Sequence, residues 1–494
     1  MGDWIDFAAQ PTFYAATALL LTNGHVLVQD AGQDGDGTAH WYILKPDQRG
    51  RYENGTWTPA VGSNGAVPDA HAKRLFFASA VLRDGTVFVS GGEYSGTPDE
   101  TEITTSELYD PISNSWKLLE APPDWTEVGD APCALLGDGR LLIGAIGAPS
   151  KDGSDSGDAR TALFDPTKIG RNEWTAGPTT LYGTSSEETW TLLGDGSVLS
   201  VSCFSPKAAK VYIPAPTPGI GKWVAADSTP DVLFDTDNEI GPGILLPDSR
   251  VFAVGATGKT CIFSPATASG TWHSGPPLPS KNGKQLVAKD APACLLPSGN
   301  ILMVLGPIGP CADATEKGYC SPIFVFEFNP ATAQYTDVSP TWAAGNSTAP
   351  YMTRLLLLPN GDVLLTCQSQ YAAIYRASGV AKEAWRPKIT SAPKRLTRGK
   401  QYQIKGLRFN GLSQAVSYGD DASMATNYPL FRITYGNGTT AYARTHDHST
   451  MSVATGSTVV WTNVTVPEQI PVGAAQASIV ANGIASSAIE VTIN

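Results

Sequence analysis

The chain has 494 residues, with 34 Lys and Arg against 46 Asp and Glu, a formal net charge of -12, and only 16% charged residues. That balance argues against nucleic acid or an anionic membrane as the natural partner, since both reward clustered Lys and Arg. Fifty glycines, 37 prolines and the absence of long helical periodicities indicate an all-β protein whose core needs neither metal nor disulfide to hold it.

Residues 2–11, GDWIDFAAQP, open the chain with a tryptophan followed by a proline. A short apolar run, a Gly-type turn and a second apolar run then recur seven times: LLLTNGHVLV, AVLRDGTVFV, ALLGDGRLLI, TLLGDGSVLS, ILLPDSRVFA, CLLPSGNILM and LLLLPNGDVL. The turns fall at Gly24, Gly85, Gly139, Gly196, Gly299 and Gly361, with Ser249 in the fifth copy. A repeat of about 50 to 60 residues is the spacing of kelch-type propeller blades. Most hairpins lead into an aromatic strand, a turn and a tryptophan or its equivalent, as in SELYDPISNSWKLL and CIFSPATASGTWHSGPPLP. Hairpin plus hairpin makes a four-stranded blade. The seventh copy has no outer strand of its own, so residues 2–11 are expected to supply it and close the ring, leaving no free sheet edge.

From Arg386 the pattern changes to alternating strands after a linker marked by Pro387 and Pro393. The reading is a seven-bladed kelch-type β-propeller over residues 1–385, followed by an immunoglobulin-like β-sandwich over 386–494. No run reaches the length of a membrane helix and the first residues lack the segments of a signal peptide, so the protein is expected to be soluble, either cytoplasmic or exported with its leader removed. Cys133, Cys203, Cys261, Cys294 and Cys367 read as buried thiols. Cys311 and Cys320 flank the polar excursion PCADATEKGYC and are a candidate disulfide in an oxidising compartment.

Propellers concentrate function at the axial mouth, lined by residues just before the first strand of each blade. Counting back eight positions from the residue before each turn gives Ala15, Phe76, Asp130, Glu187, Ile240, Asp290 and Met352, with Tyr14, Glu188, Glu239, Lys289, Tyr351 and Arg354 beside them. Four consecutive blades therefore offer carboxylates.

With these features the chain resembles the galactose oxidase and glyoxal oxidase superfamily, a kelch propeller followed by an immunoglobulin-like domain that sends a histidine-bearing hairpin toward the axis. The resemblance implies that Thr445-His446, within YARTHDHSTMSV, matches a copper-ligand step, and that APYMTRLLLLPNGDVL matches the segment bearing a tyrosine ligand and a histidine. Tyr351 is kept and the histidine is Met352. The family's cysteine–tyrosine cross-link falls on Ala15 and Phe76, neither of which can form it, so the copper radical cofactor is not expected. If the hairpin enters as implied, His446 and His448, on one face of a strand, meet Asp130, Glu239 and Asp290 as ligands for a divalent ion such as Zn²⁺, Mn²⁺, Fe²⁺ or Ca²⁺. His446, His448, Tyr351, Arg354 and Glu187 are then the candidate catalytic groups, with Phe76, Lys289, Tyr14 and Met352 lining the substrate.

The expected activity is non-radical acid-base, lyase or hydrolytic chemistry on a small polar or carbohydrate-like substrate, by a monomer. His71, just before blade two, is a secondary candidate. Three alternatives stand beside it: histidines that only pin the hairpin, a non-catalytic propeller that binds a glycan or protein, and an atypical copper oxidase.

Overall fold

Every one of the seven repeated hairpins turns through a residue in the left-handed region: Gly24 (φ 79°), Gly85 (86°), Gly139 (93°), Gly196 (88°), Ser249 (72°), Gly299 (90°) and Gly361 (90°). In each, the N–H of that residue donates to a carbonyl three positions back, from Gly24 to Leu21 through Gly361 to Leu358. Glycine meets this demand without a Cβ penalty, and Ser249 meets it with one. The computed structural model describes residues 2–494 except 61, 98–99, 147–157, 266–268, 314–315, 317, 344–345 and 419–423, and residues 94–97 and 100–102 by their backbone alone.

The hairpins build six four-stranded antiparallel sheets of a β-propeller. One of them takes its outer strand from the N-terminus: Asp3–Asp6 pairs with Ala372–Arg376, in register from Asp3↔Arg376 to Asp6↔Ala373. A larger, seven-stranded sheet contains the same antiparallel run in Ala293–Leu295, Ile301–Pro307, Phe324–Asn329 and Gln334–Asp337, and adds Lys284–Val287, Ser280–Lys281 and the short Val416–Ser417.

The aromatic signals of the sequence become cross-strand pairs on the outer hairpins. Tyr109 faces Trp116, Phe164 faces Trp174, Tyr212 faces Trp223 and Phe263 faces Trp272, with ring centroids 5.0 to 5.4 Å apart. Such pairs add to plain burial through ring geometry. Four tryptophans also donate their indole N–H to backbone carbonyls far upstream or downstream: Trp57 to Ala9, Trp116 to Pro68, Trp174 to Glu120 and Trp4 to Val338. Trp4 thus makes from the N-terminal strand the bond that other outer strands make along the chain.

The C-terminal strands do not separate into two independent sheets. They form one continuous nine-stranded sheet, because Thr440–His446 pairs with Leu430–Tyr435 on one side and Val459–Thr465 on the other. Its core of Leu396, Ile404, Phe431, Ile433, Val464 and Val491 is its own. Among the described residues no helix is long and apolar enough to cross a membrane.

The fifth turn yields a test. Ser249 is exposed, so Ser249→Gly removes backbone strain and no packing. It should raise stability by about 1 kcal/mol, read as a higher urea midpoint at constant slope.

Candidate functional site

Inner strands of the propeller begin at one end of the ring and turn at the other. Glu187 lies just before Thr189–Leu192, Glu239 before Gly243–Leu245 and Asp290 before Ala293–Leu295, so three neighbouring sheets deliver carboxylates to the same end. One oxygen from each lies within 4.8 Å of the others. At that spacing each charged pair repels by roughly 3 kcal/mol for an effective dielectric near 20. Glu187 and Asp290 also hold left-handed backbone, at φ 59° and 41°, as does Phe76 at 48°. Non-glycine residues rarely occupy this region, and they cluster where the surrounding structure fixes a side chain's direction.

The polar excursion after Ile301–Pro307 closes over this cluster. Cys311 and Cys320 are joined as a disulfide, and the loop presents Tyr319, whose hydroxyl donates to Glu239. Burial and the nearby charges of Asp290, Glu239 and Glu187 push the Tyr319 phenol far above its ordinary value, so it stays protonated. Lys289 sits 4.0 Å from the centre of the Tyr319 ring. Its ammonium binds Asp237 at 2.5 Å and Asp235 at 2.9 Å. Burial pulls the lysine down, but those two bonds outweigh it and raise the lysine above its usual value. The charge of Lys289 is thereby committed to Asp235 and Asp237.

Beside them stands an aromatic wall. Tyr351, on the short turn Pro350–Met352, lies edge-on to Tyr319 at 5.1 Å and 6.2 Å from Phe76. Its phenol is pushed upward by burial and then by the charge of Glu316. Arg354 does not face outward as a substrate clamp. It is 1% exposed, donates to the carbonyls of Tyr351 and Thr353, and lies 3.7 Å from the Tyr418 ring and 5.5 Å from Phe76. Met352 is half-buried on the same turn, and Tyr14 packs with Phe76 against Ala16, Ala31 and Leu75.

The histidines expected at this site are elsewhere. His446 ends Thr440–His446 and bonds Asp447 at 2.7 Å and Thr465 at 2.9 Å. His448 is 1% exposed, with Nδ1 2.9 Å from the Thr462 hydroxyl. Their hairpin is sewn to the turn end of the ring, where Thr445 donates to Thr22, His448 to Arg83 and Met451 to Gly137. The carboxylates lie at the opposite end, about 10 to 20 Å away along inner strands of three to six residues. His446 and His448 therefore do not join Glu239 and Asp290 as metal ligands, because strand pairing stops them at the wrong end. Asp130 is buried before Cys133–Leu135 but falls outside the three-carboxylate group.

The segment that does enter the ring is 411–418. Val416–Ser417 pairs with Ala293–Leu295, Gln414 accepts from the Leu192 N–H, Ser417 from the Gly243 N–H, and the Tyr418 hydroxyl donates to the Tyr351 carbonyl at 2.9 Å. Sequence reasoning missed Tyr319, Asp235, Asp237 and Tyr418. The only signal for Tyr319 was its place beside Cys320 in a polar excursion. Glu188, next to Glu187, is a buried structural partner of Lys210 at 2.8 Å. His71 is held by the buried Glu107, which also pairs with Arg74.

No family model matches the chain. Over 135 residues, 27% of the chain, it is 31% identical to galactose oxidase from Gibberella zeae; the match spans 18% of that relative, about a fifth of its length. A solved structure of a fungal alcohol oxidase of the AA5 family, in complex with copper, aligns over 100% of this chain and 99% of its own with a TM-score of 0.53 and 17% identity, a likeness of fold. The partial sequence match and the likeness of fold both point toward galactose oxidase-like proteins.

The displaced histidine gives a pH test. Burial, then the charge of His446, hold His448 down at about 3, below the ordinary 6.5. A base whose folded value is depressed stays neutral when folded and takes up a proton on unfolding, so stability should fall as pH drops from about 6.5 toward 3. Urea unfolding between pH 7 and 4 should show a shallower loss for His448→Gln than for the wild type, by up to about 1.4 kcal/mol per pH unit.

Proposed function

We propose that this chain has a galactose oxidase-like scaffold and is an enzyme that works without the copper radical, using Glu187, Glu239, Asp290 and Tyr319 for acid-base or metal-assisted chemistry on a small polar, carbohydrate-like substrate. Three carboxylate oxygens within 4.8 Å, capped by a protonated phenol, carry this reading. Their mutual repulsion is relieved by a shared proton or by a divalent cation, and an all-oxygen donor set favours hard ions such as Mn²⁺ or Ca²⁺ over Zn²⁺ or copper.

The donors a copper radical requires are not gathered at this mouth. Ala15 and Phe76 lack the thiol and phenol of the cross-link, Met352 stands where the family has an imidazole, and among the described residues no histidine belongs to a candidate metal group. The seven-bladed count, with residues 1–385 as propeller and 386–494 as an immunoglobulin-like domain, is part of the same proposal. The seven turns and the N-terminal strand's pairing support the blade count, and the separate core of the C-terminal sheet supports a second domain. The disulfide suits an oxidising compartment.

In this scheme Tyr319 donates to Glu239 and holds its orientation, and Glu187 and Asp290 accept a proton from substrate or share a cation. Phe76 and Tyr351 supply apolar faces for a sugar-like ring. Calorimetric titration with Mn²⁺ and Ca²⁺ tests this. The wild type and His446→Ala should bind alike, while Glu239→Gln and Asp290→Asn each weaken binding at least about tenfold. Stoichiometric copper bound in the wild type and lost in Tyr351→Phe would overturn the reading in favour of a copper oxidase.

A further inference from the structure

The loop between Cys311 and Cys320 carries contacts that cover the candidate site. Tyr319 reaches Glu239 through its hydroxyl and Lys289 through its ring face. Glu316 places its charge against Tyr351 and anchors the loop's return by accepting from the Ser321 N–H and hydroxyl. Gly318 adopts φ 93°, and a Cβ there would lie 3.4 Å from an Asp237 carboxylate oxygen and 3.6 Å from the Lys289 nitrogen. The backbone thus runs directly over the ion pair that flanks the carboxylates.

The loop's ends are tied by one covalent link, through Cys320, which is 3% exposed. Closing a short loop in this way removes conformational freedom that the contacts of Tyr319 would otherwise have to oppose.

We infer that the Cys311–Cys320 disulfide is the positioning element of the site, and that a dithiol reductant releases Tyr319 from Glu239 and weakens the three-carboxylate site. The inference rests on the reading of that cluster as the functional site. In the reductive step the S–S bond takes two electrons and two protons to give two thiols, and the dithiol closes to its own disulfide. Cys311 is only half-buried, so a thiolate can approach its sulfur. The five remaining cysteines are free thiols, and this bond is the reductant's only target among the described residues.

Wild type before and after treatment with dithiothreitol, Cys311→Ser/Cys320→Ser, and Tyr319→Phe provide the test, read by Mn²⁺ calorimetry and by hydrogen–deuterium exchange at the Gly318 and Tyr319 amides. Reduction and the double serine variant should each weaken Mn²⁺ binding at least about tenfold and speed exchange at those amides. Tyr319→Phe should weaken Mn²⁺ binding with the disulfide intact. Unchanged affinity and unchanged exchange after full reduction would overturn the inference. Failure of the oxidised wild type to bind Mn²⁺ would instead count against the proposed function, and the exchange at Gly318 and Tyr319 would still decide the role of the disulfide.

Discussion

Three acidic side chains crowd one end of the ring, and electrostatics sets the terms for everything around them. Roughly 3 kcal/mol of repulsion per pair is more than a surface loop can absorb, so rigid elements must hold the cluster. The inner strands of three sheets do so, with Glu187 and Asp290 locked in left-handed backbone immediately ahead of them. Beside the cluster, Lys289 is held by Asp235 and Asp237. Three carboxylates thus meet beneath a neutral phenol, an arrangement suited to sharing a proton or gripping a cation.

The ring that holds this cluster is itself held from two directions. Its circumference is closed by the N-terminal strand, whose Trp4 reproduces a bond found on other outer strands. Its axis is filled by residues 411–418, which take up backbone and side-chain partners on four inner strands or their flanks. Tyr418 and Arg354 carry that plug to the foot of Tyr351, so the C-terminal segment contributes to the mouth through stacking and hydrogen bonds rather than through a histidine. The histidine hairpin has a different task, sealing the turn end of the ring against Thr22, Arg83 and Gly137.

Local chemistry made the propeller legible in the sequence. Left-handed turns need glycine, outer hairpins need paired aromatics, and both recur at a fixed period, so even the substitution at Ser249 kept its place in the register. Counting from the turns also located Glu187, Asp290 and Phe76. The histidines misled because a His-x-His pattern records which face of a strand two side chains share and nothing about how far that strand travels before pairing stops it. Tyr319, Asp235 and Asp237 were invisible for a related reason: they sit in irregular loops whose course depends on a disulfide and an ion pair, neither of which leaves a periodic trace. Residues 411–418 gave no signal because a two-residue strand is too short to show alternation.

The most direct test of the account is a crystal structure of the oxidised protein soaked in Mn²⁺, with the anomalous signal used to find the ion. The account predicts a single strong peak within ligand distance of Glu187, Glu239 and Asp290, beneath the Tyr319 hydroxyl. A peak instead at Tyr351 and Met352, or beside His446 and His448, with the three carboxylates bare, would contradict it.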